Sequence, residues 1–538
     1  MKLVTVEEMR AIEKEADASG WSYAQMMEKA GFGLAEIVQS FYGYADEQVA
    51  TALVGSGNNG GDALVALITL IEWGWVGRAY LVRPRKDDLL LKRFVAAGGE
   101  IVEAGTDPQF EKLGSWLKDS TVLLDGVLGT GIQLPLKPEV GEVLQFTKDA
   151  PFLPPVVAVD CPSGVDCDSG ESADQAIPAE ITVCMAAVKM GLLKHPAFRL
   201  VGDLQVVDIG LSEENAAWHQ IQSEVVGDAR VREILPIRPV EGHKGTFGTA
   251  VIAAGSLNYT GAAFLAGRAC ARMGTGLVTL AVAAPLHASL AGQLPEVTWI
   301  LLPHQMGAIA GEAAAVLLKG LEKADVLLVG SGLGLEDCTA EFIRRLLDGS
   351  EHPERAALGF VTTSKADRSA GISRKLPGMV VDADALKLLT RIPDWMDRLP
   401  KPAVLTPHPG EMSVLCGLSR DQIQANRIET ARSYAAQWGH VVVLKGAFTV
   451  IASPDGRLGV IPAATSALAH AGTGDVLGGM IAGLRAQGIP AYEAALAGAW
   501  LHAQAGLTAL ERLGHEASVL AGDVIEAIPE VLALVWDR

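Results

Sequence analysis

A chain of 538 residues exceeds what one hydrophobic core can serve, since cores stop growing at roughly 250–300 residues, so two domains are expected. Hydrophobic residues make up 49% and aromatics only 5%, a balance suited to an α/β protein with buried parallel strands. The formal net charge of -19 excludes nucleic acid as a partner held by a basic surface, and leaves any anionic ligand to local donors.

Residues 5–40 read as helical, with Met9, Ile12, Met26, Met27 and Leu34 among charged positions. The apolar strand Val49 to Val54 then runs into Gly55-Ser56-Gly57-Asn58-Asn59-Gly60-Gly61-Asp62, and a helix is expected from Ala63 to Ile71. Strand, glycine turn and helix place phosphates at a helix N-terminus. The spacing is neither the three-glycine dinucleotide fingerprint nor a Walker loop. A plain tight turn is the alternative, but it does not require the side-chain oxygens of Asn58, Asn59 and Asp62.

Two further strands end the same way. Thr121 to Asp125 leads into Gly126-Val127-Leu128-Gly129-Thr130-Gly131, and Val156 to Asp160 leads into Cys161-Pro162-Ser163-Gly164. Ligands of open parallel sheets bind at strand carboxyl ends, so the three segments point to one shared site. The strand Asp203 to Ile209 closes the first half, and residues 210–240 are polar, with Pro236 and Pro239 marking a boundary.

The second half restarts at His243-Lys244-Gly245. Strands at 249–254, 277–282, 325–329 and 379–381 alternate with helical segments such as Gly261 to Met273, which argues for a second parallel sheet. Gly330-Ser331-Gly332-Leu333-Gly334 follows one of these strands. Thr406-Pro407-His408-Pro409-Gly410-Glu411 holds a histidine between prolines, either as a surface loop or as a ligand contact. Lys445 leaves the buried strand Val441 to Leu444 beside Gly446, to meet a phosphate or simply to reach solvent. Last comes Ala471-Gly472-Thr473-Gly474-Asp475-Val476-Leu477, a turn before an apolar helix whose carboxylate is either an N-terminal cap or a base beside a phosphate.

The six cysteines (Cys161, Cys167, Cys184, Cys270, Cys338 and Cys416) are scattered; Cys161 and Cys167 lack a second pair to complete a zinc site, so free thiols are expected. No uncharged apolar run reaches the roughly 18–20 residues of a membrane span, and Met1-Lys2-Leu3-Val4 leads into Glu7-Glu8 without a signal-peptide pattern. A cytoplasmic protein with no membrane partner is expected.

The first set of motifs (Asn58-Asn59-Gly60-Gly61-Asp62, Leu124-Asp125 with Gly129-Thr130-Gly131, and Val159-Asp160-Cys161-Pro162-Ser163-Gly164) resembles the NAD(P)H-hydrate epimerase domain over about residues 1–215. The resemblance implies a Rossmann-like three-layer αβα sandwich that interconverts the R and S epimers of nicotinamide hydrates. It implies potassium binding at Asn59, Asp125 and Ser163. Substrate contacts are implied at Asn58, Asn59, Gly60, Gly61, Asp62, Gly129, Thr130, Gly131, Ile132, Gln133, Leu134 and Pro135, with Asp160 as acid/base. Ala63 stands where many relatives are expected to carry glycine.

The second set resembles the ribokinase-like superfamily, and within it the ADP-dependent NAD(P)H-hydrate dehydratases, over residues 236–538, with 216–235 as linker. The matching positions imply nucleotide contacts at Lys445, Gly446, Ala447, Phe448, Thr449 and Gly474. Hydrate contacts are implied at Ala262, Gly332, Gly334, His408 and Asp475. Asp475 would take the hydroxyl proton while the Gly472–Gly474 N–H groups hold the transferring phosphate, with magnesium bridging the nucleotide phosphates. NADHX, NADPHX and ADP are the implied small molecules, and a homo-oligomer is expected. Two rival readings stay open: a small-molecule kinase of the ribokinase-like group, and an N-terminal half that binds without catalysing.

Overall fold

The computed structural model describes residues 1–85, 88–212, 214–349 and 376–536. The chain divides into two compact units, Met1–Val225 and Val226–Arg538. The segment 216–235 carries two short helices, Ala216–Gln220 and Asp228–Ile234, and the strand Ser223–Val225. Among the described residues no helix is long and apolar enough to cross a membrane.

In the first unit seven parallel strands lie in the order Glu100–Glu103, Val76–Leu81, Val49–Val54, Val122–Gly126, Val156–Val159, Ile181–Met185, Asp203–Val207. The chain moves outward one way from Val49–Val54, then resumes on its other side at Val122–Gly126. The strand order therefore reverses between these two neighbours, making a topological switch point whose carboxyl-end crevice binds ligands in such sheets.

The strand sequences alternate as the pleat requires. Ala50, Ala52, Val54, Val122 and Leu124 join a core with Ile12, Leu34 and Leu67 from the helices Val6–Ala18, Tyr23–Tyr42 and Asn58–Glu72. Leu53 and Leu123 join a second core with Trp116 and Leu144 from Glu111–Asp119 and Pro138–Lys148. Two helical layers thus cover the two faces, as expected for the three-layer sandwich. The single helical stretch read over residues 5–40 is two helices, because Gly20 takes a φ of 100° and Ser22 caps a new start with its side chain.

The second unit builds its sheet in the order Leu458–Val460, Val450–Ala452, Val441–Leu444, Val404–Leu405, Gly378–Val381, Val326–Val329, Thr249–Ala253, Leu277–Ala283, Thr298–Leu302. From Val441–Leu444 onward all pairs are parallel, and the first two strands attach antiparallel. The helix Thr473–Ala486 lies close against Thr260–Arg272. A Cβ on Gly479 would stand 2.2 Å from Ala266 O, and one on Gly483 would stand 2.9 Å from Cys270 O. Glycines four residues apart therefore form the face that lets two backbones approach.

Candidate active sites

In the first unit the helix after the strand Val49–Val54 begins at Asn58, five positions before the Ala63 start read from sequence. Its N-cap is Gly57, and its first backbone bond runs from Gly61 N–H to Gly57 O at 3.2 Å. Asn58, Asn59 and Gly60 are thus first-turn residues whose N–H groups face outward along the helix axis at the switch point. Gly60 and Gly61 are also packing residues: a Cβ would meet Gly55 O at 2.2 Å or Met27 Sδ at 2.6 Å.

Asn59, Asp125 and Ser163 converge on one backbone segment. Asn59 Nδ2 donates to Leu128 O at 3.2 Å and to Val159 O at 2.6 Å. Leu128 N–H donates to Ser163 Oγ at 2.9 Å, and Ser163 gives its hydroxyl and its N–H to the two Asp125 oxygens at 2.5 and 2.8 Å. Asp125 is wholly buried, and burial is the main cause of a carboxyl pushed above its usual range; the Ser163 bonds oppose it. Gly129 follows at close range, since a Cβ there would fall 2.2 Å from Asn59 Oδ1. The loop then runs through Thr130, Gly131, Ile132 and Gln133 to a cis bond between Leu134 and Pro135.

Asp160 ends the neighbouring strand with a φ of 64°, a left-handed turn that Asp tolerates. Its Oδ1 accepts from Met185 N–H at 2.9 Å and from the buried Lys189 ammonium, which also donates to Met185 O at 3.1 Å. Lys189 is 1% exposed; burial works against its charge, but Asp160 holds its pKa above the usual value. Asp62 is pushed well above the carboxylate range, by burial first and then by Asp160 and Glu13, with Lys189 opposing. Asp62, Asp160, Glu13 and Lys189 therefore form one electrostatic group. Sequence reading missed Lys189 and Glu13. The available signal for the lysine was its place as the single charge in the run Ile181 to Leu193.

Arg85 was missed as well. Its guanidinium braces the glycine turn by donating to Gly55 O at 2.7 Å and Gly57 O at 3.0 Å.

In the second unit a cavity of about 410 Å³ is lined by His408, Lys445, Gly446, Ala447, Thr449 and Gly474 among others. Its volume lies within the range of small-molecule sites, roughly 300–1,000 Å³. Phe448 belongs to the same loop, with a φ of 51°, but is not part of the cavity wall. The helix carrying Asp475 starts at Thr473, so the carboxylate sits in the first helical turn instead of a turn before it. Gly472 takes a φ of 92° as the N-cap and has no side chain to cap with, and the first backbone bond is Val476 N–H to Gly472 O at 3.1 Å. Gly474 and Asp475 thus keep first-turn N–H groups free for an anion.

Around this turn stands a polar cluster from four strand ends. Lys445 Nζ lies 2.8 Å from Asp382 Oδ1 and 3.8 Å from Glu411 Oε2. Asp382 is 1% exposed and also accepts from Thr406 Oγ1 at 2.7 Å and from Ser331 Oγ at 3.5 Å. Burial, reinforced by Asp382, pushes Asp475 up to about 6, with Ser331 and Lys445 opposing.

His408 faces the cavity but is also a cap. Its Nδ1 accepts from Gly410 N–H at 3.0 Å and Glu411 N–H at 3.3 Å, while Glu411 answers with a bond from His408 N–H at 3.0 Å. Ala262 and Gly332 adjoin each other, since a Cβ on Gly332 would stand 2.9 Å from that of Ala262. Gly334 N–H donates to Asp384 Oδ2 at 3.1 Å. Ala262, Gly332 and Gly334 lie outside the cavity wall.

Glycine-rich helix N-termini at the carboxyl ends of parallel strands, each beside a buried carboxylate, define an α/β enzyme of the nucleotide-handling class. A family model described as NAD(P)H-hydrate dehydratase matches residues 250–530, and one described as YjeF-related protein N-terminus matches residues 23–191. The chain is 34% identical over 541 residues to a bifunctional NAD(P)H-hydrate repair enzyme of Moorella thermoacetica, covering 99% of this chain and 97% of that one. It is 34% identical over 531 residues to the protein of that name from Salinibacter ruber, covering 94% and 92%. A solved ADP/ATP-dependent NAD(P)H-hydrate dehydratase from Bacillus subtilis, co-crystallised with ATP and Mg2+, is 30% identical, with a TM-score of 0.46 over 58% of this chain and 98% of that one. The chain belongs to the family of bifunctional NAD(P)H-hydrate repair enzymes.

Proposed function

We propose that the chain repairs hydrated nicotinamide nucleotides in two steps, with an epimerase at residues 1–215, a linker at 216–235 and a dehydratase at 236–538. The first site interconverts the R and S hydrates of NADH and NADPH. The second returns the S form to the dihydronicotinamide and converts ADP to AMP and phosphate. The observation that carries this reading is Asp475, a carboxylate held near neutrality in a helix first turn whose neighbour Gly474 lines the cavity with Lys445.

In the dehydratase site the C6 hydroxyl of the hydrate attacks the β-phosphorus of ADP. Its oxygen–phosphorus bond forms as the bond to the bridging oxygen breaks, and AMP leaves. Asp475 accepts the hydroxyl proton, and the Gly474 and Asp475 N–H groups hold the moving phosphoryl oxygens. Phosphate then departs from C6 with the bonding electrons as C5 loses a proton to solvent, restoring the ring double bond. Asp382 and Glu411 both face Lys445 and are committed to its charge, and magnesium brought with the nucleotide would supply neutralisation of phosphate charge.

In the epimerase site Asp160 manages the proton at the C6 hydroxyl centre, with Lys189 holding the carboxylate in place. Potassium fits Asn59, Asp125 and Ser163 on one observation. The wholly buried Asp125 carboxylate has hydroxyl and N–H partners, but no cationic one among the described residues. A weakly hydrated cation bound by oxygens would neutralise it.

The test is the full chain with mixed hydrate epimers and either ADP or ATP, following regained reduced-nicotinamide absorbance and nucleotide products. AMP formed in step with regained absorbance supports the reading. A stable phosphorylated product without regained absorbance would favour a kinase and overturn it.

A further inference from the structure

The helix Ala491–Leu513 is buried along most of its length and presents His502 to the wall of the nucleotide cavity. His502 is 7% exposed, and its Nε2 lies 2.9 Å from the carbonyl oxygen of Thr473. That carbonyl belongs to the first residue of the helix that carries Gly474 and Asp475. The other end of Thr473 is tied as well, because its hydroxyl reaches Leu468 O and His470 O, each at 2.9 Å. Leu468, His470, Thr473 and His502 all line the cavity.

We propose that His502 is a positioning residue of the dehydratase site, whose Nε2–H fixes the Thr473 carbonyl and so aims the Gly474–Asp475 turn at the nucleotide. Burial first, and Lys445 with it, pushes the imidazole down to about 4, so the ring is neutral at working pH. A neutral ring has one N–H, and a carbonyl partner requires that it be on Nε2. Among the described residues Nδ1 has no hydrogen-bond partner, so the ring's tautomer is set by Thr473 alone. A helix N-terminus binds an anion only if its N–H groups converge on it. Those groups move with the Thr473–Gly474 peptide, and a small rotation there would spread them and swing Asp475 off line.

This inference rests on the dehydratase reading for its kinetic arm, so the experiment has a second arm that does not. His502→Leu removes the donor, His502→Gln places an amide N–H near the Nε2 position, and His502→Asn places one near Nδ1, out of reach. Calorimetric ADP affinity and steady-state dehydration are measured for each in the full chain, together with the melting temperature. Loss of one buried hydrogen bond to the turn should weaken ADP binding and lower kcat by about tenfold each in the Leu and Asn variants, with Gln within about threefold of wild type. Should the Leu variant fail to fold, the Gln and Asn pair carries the same contrast. Equal behaviour of Gln and Asn, whether both normal or both impaired, would overturn the proposal. Wild-type ADP binding without dehydration would instead overturn the proposed function and leave the affinity contrast to judge His502.

Discussion

Lys445 and Asp382 form a buried ion pair, Nζ to Oδ1 2.8 Å, at the carboxyl ends of two parallel strands that the sheet separates by one neighbour. Thr406 supplies a further hydrogen bond to the same carboxylate from the strand end between them. The pair therefore ties three strand ends together beside the cavity that Lys445 and Gly474 both line.

Removing one partner of such a pair strands the other charge. Lys445→Met should destabilise the second unit by about 3–5 kcal/mol and abolish measurable ADP binding. The double variant Lys445→Met with Asp382→Asn should recover most of the stability and none of the binding. Denaturant unfolding and ADP titration check both.

As the proposed base, Asp475 should set an acid limb on the dehydration rate. With a folded pKa of about 6, the base is unprotonated above that value, so kcat should fall about tenfold per pH unit below it. The same shift has a sign for stability. The folded value lies above the unfolded one of about 4, so Asp475 contributes stability below about pH 4 that is lost as pH rises through 6. Asp475→Asn should therefore melt higher than wild type at pH 8 and show no such gain at pH 4. Thermal unfolding at the two pH values reads the difference.

The Asp160–Lys189 pair should behave differently from the Lys445–Asp382 pair. Asp160→Ala should reduce conversion of the R epimer to its spontaneous background while dehydration of the S epimer stays normal. Lys189→Met leaves Asp160 buried without its cation, and should cost stability as well as epimerase activity. Chromatographic separation of the epimers and melting curves distinguish the two effects.

Potassium should stabilise the first unit through Asp125. Saturating potassium should raise the melting temperature of the wild type relative to a larger organic cation, since a ligand that binds only the native state shifts unfolding by mass action. Asp125→Asn should lose that increment.

Much of this arrangement was legible in the sequence because buried parallel strands are apolar runs that end abruptly in Asp or Gly. Val49–Val54 was read with its observed limits, and Asp125, Asp160 and Lys445 with their strand ends. Edge strands were legible only in part: Asp203–Val207 was read and Glu100–Glu103 was not. Glu100–Glu103 is short and half charged, so nothing in its pattern separates it from a loop. Helix starts were read late at both glycine turns because Gly and Asn have poor helix propensity. Tertiary packing overrides that preference: Gly61 must clear Met27, and Gly479 must clear Ala266. Lys189 and His502 went unread for another reason. Their partners lie 29 positions away in each case, and only the fold brings them together.

The most direct measurement is the time course of the separated R and S hydrates in the presence of ADP, for wild type and Asp475→Asn. Wild type should consume both epimers, with AMP appearing in proportion to regained dihydronicotinamide. Asp475→Asn should still interconvert R and S and still bind ADP, yet leave the hydrate pool undiminished. Dehydration at a near-normal rate in Asp475→Asn would contradict the assignment of the base, and with it the proposed chemistry of the second unit.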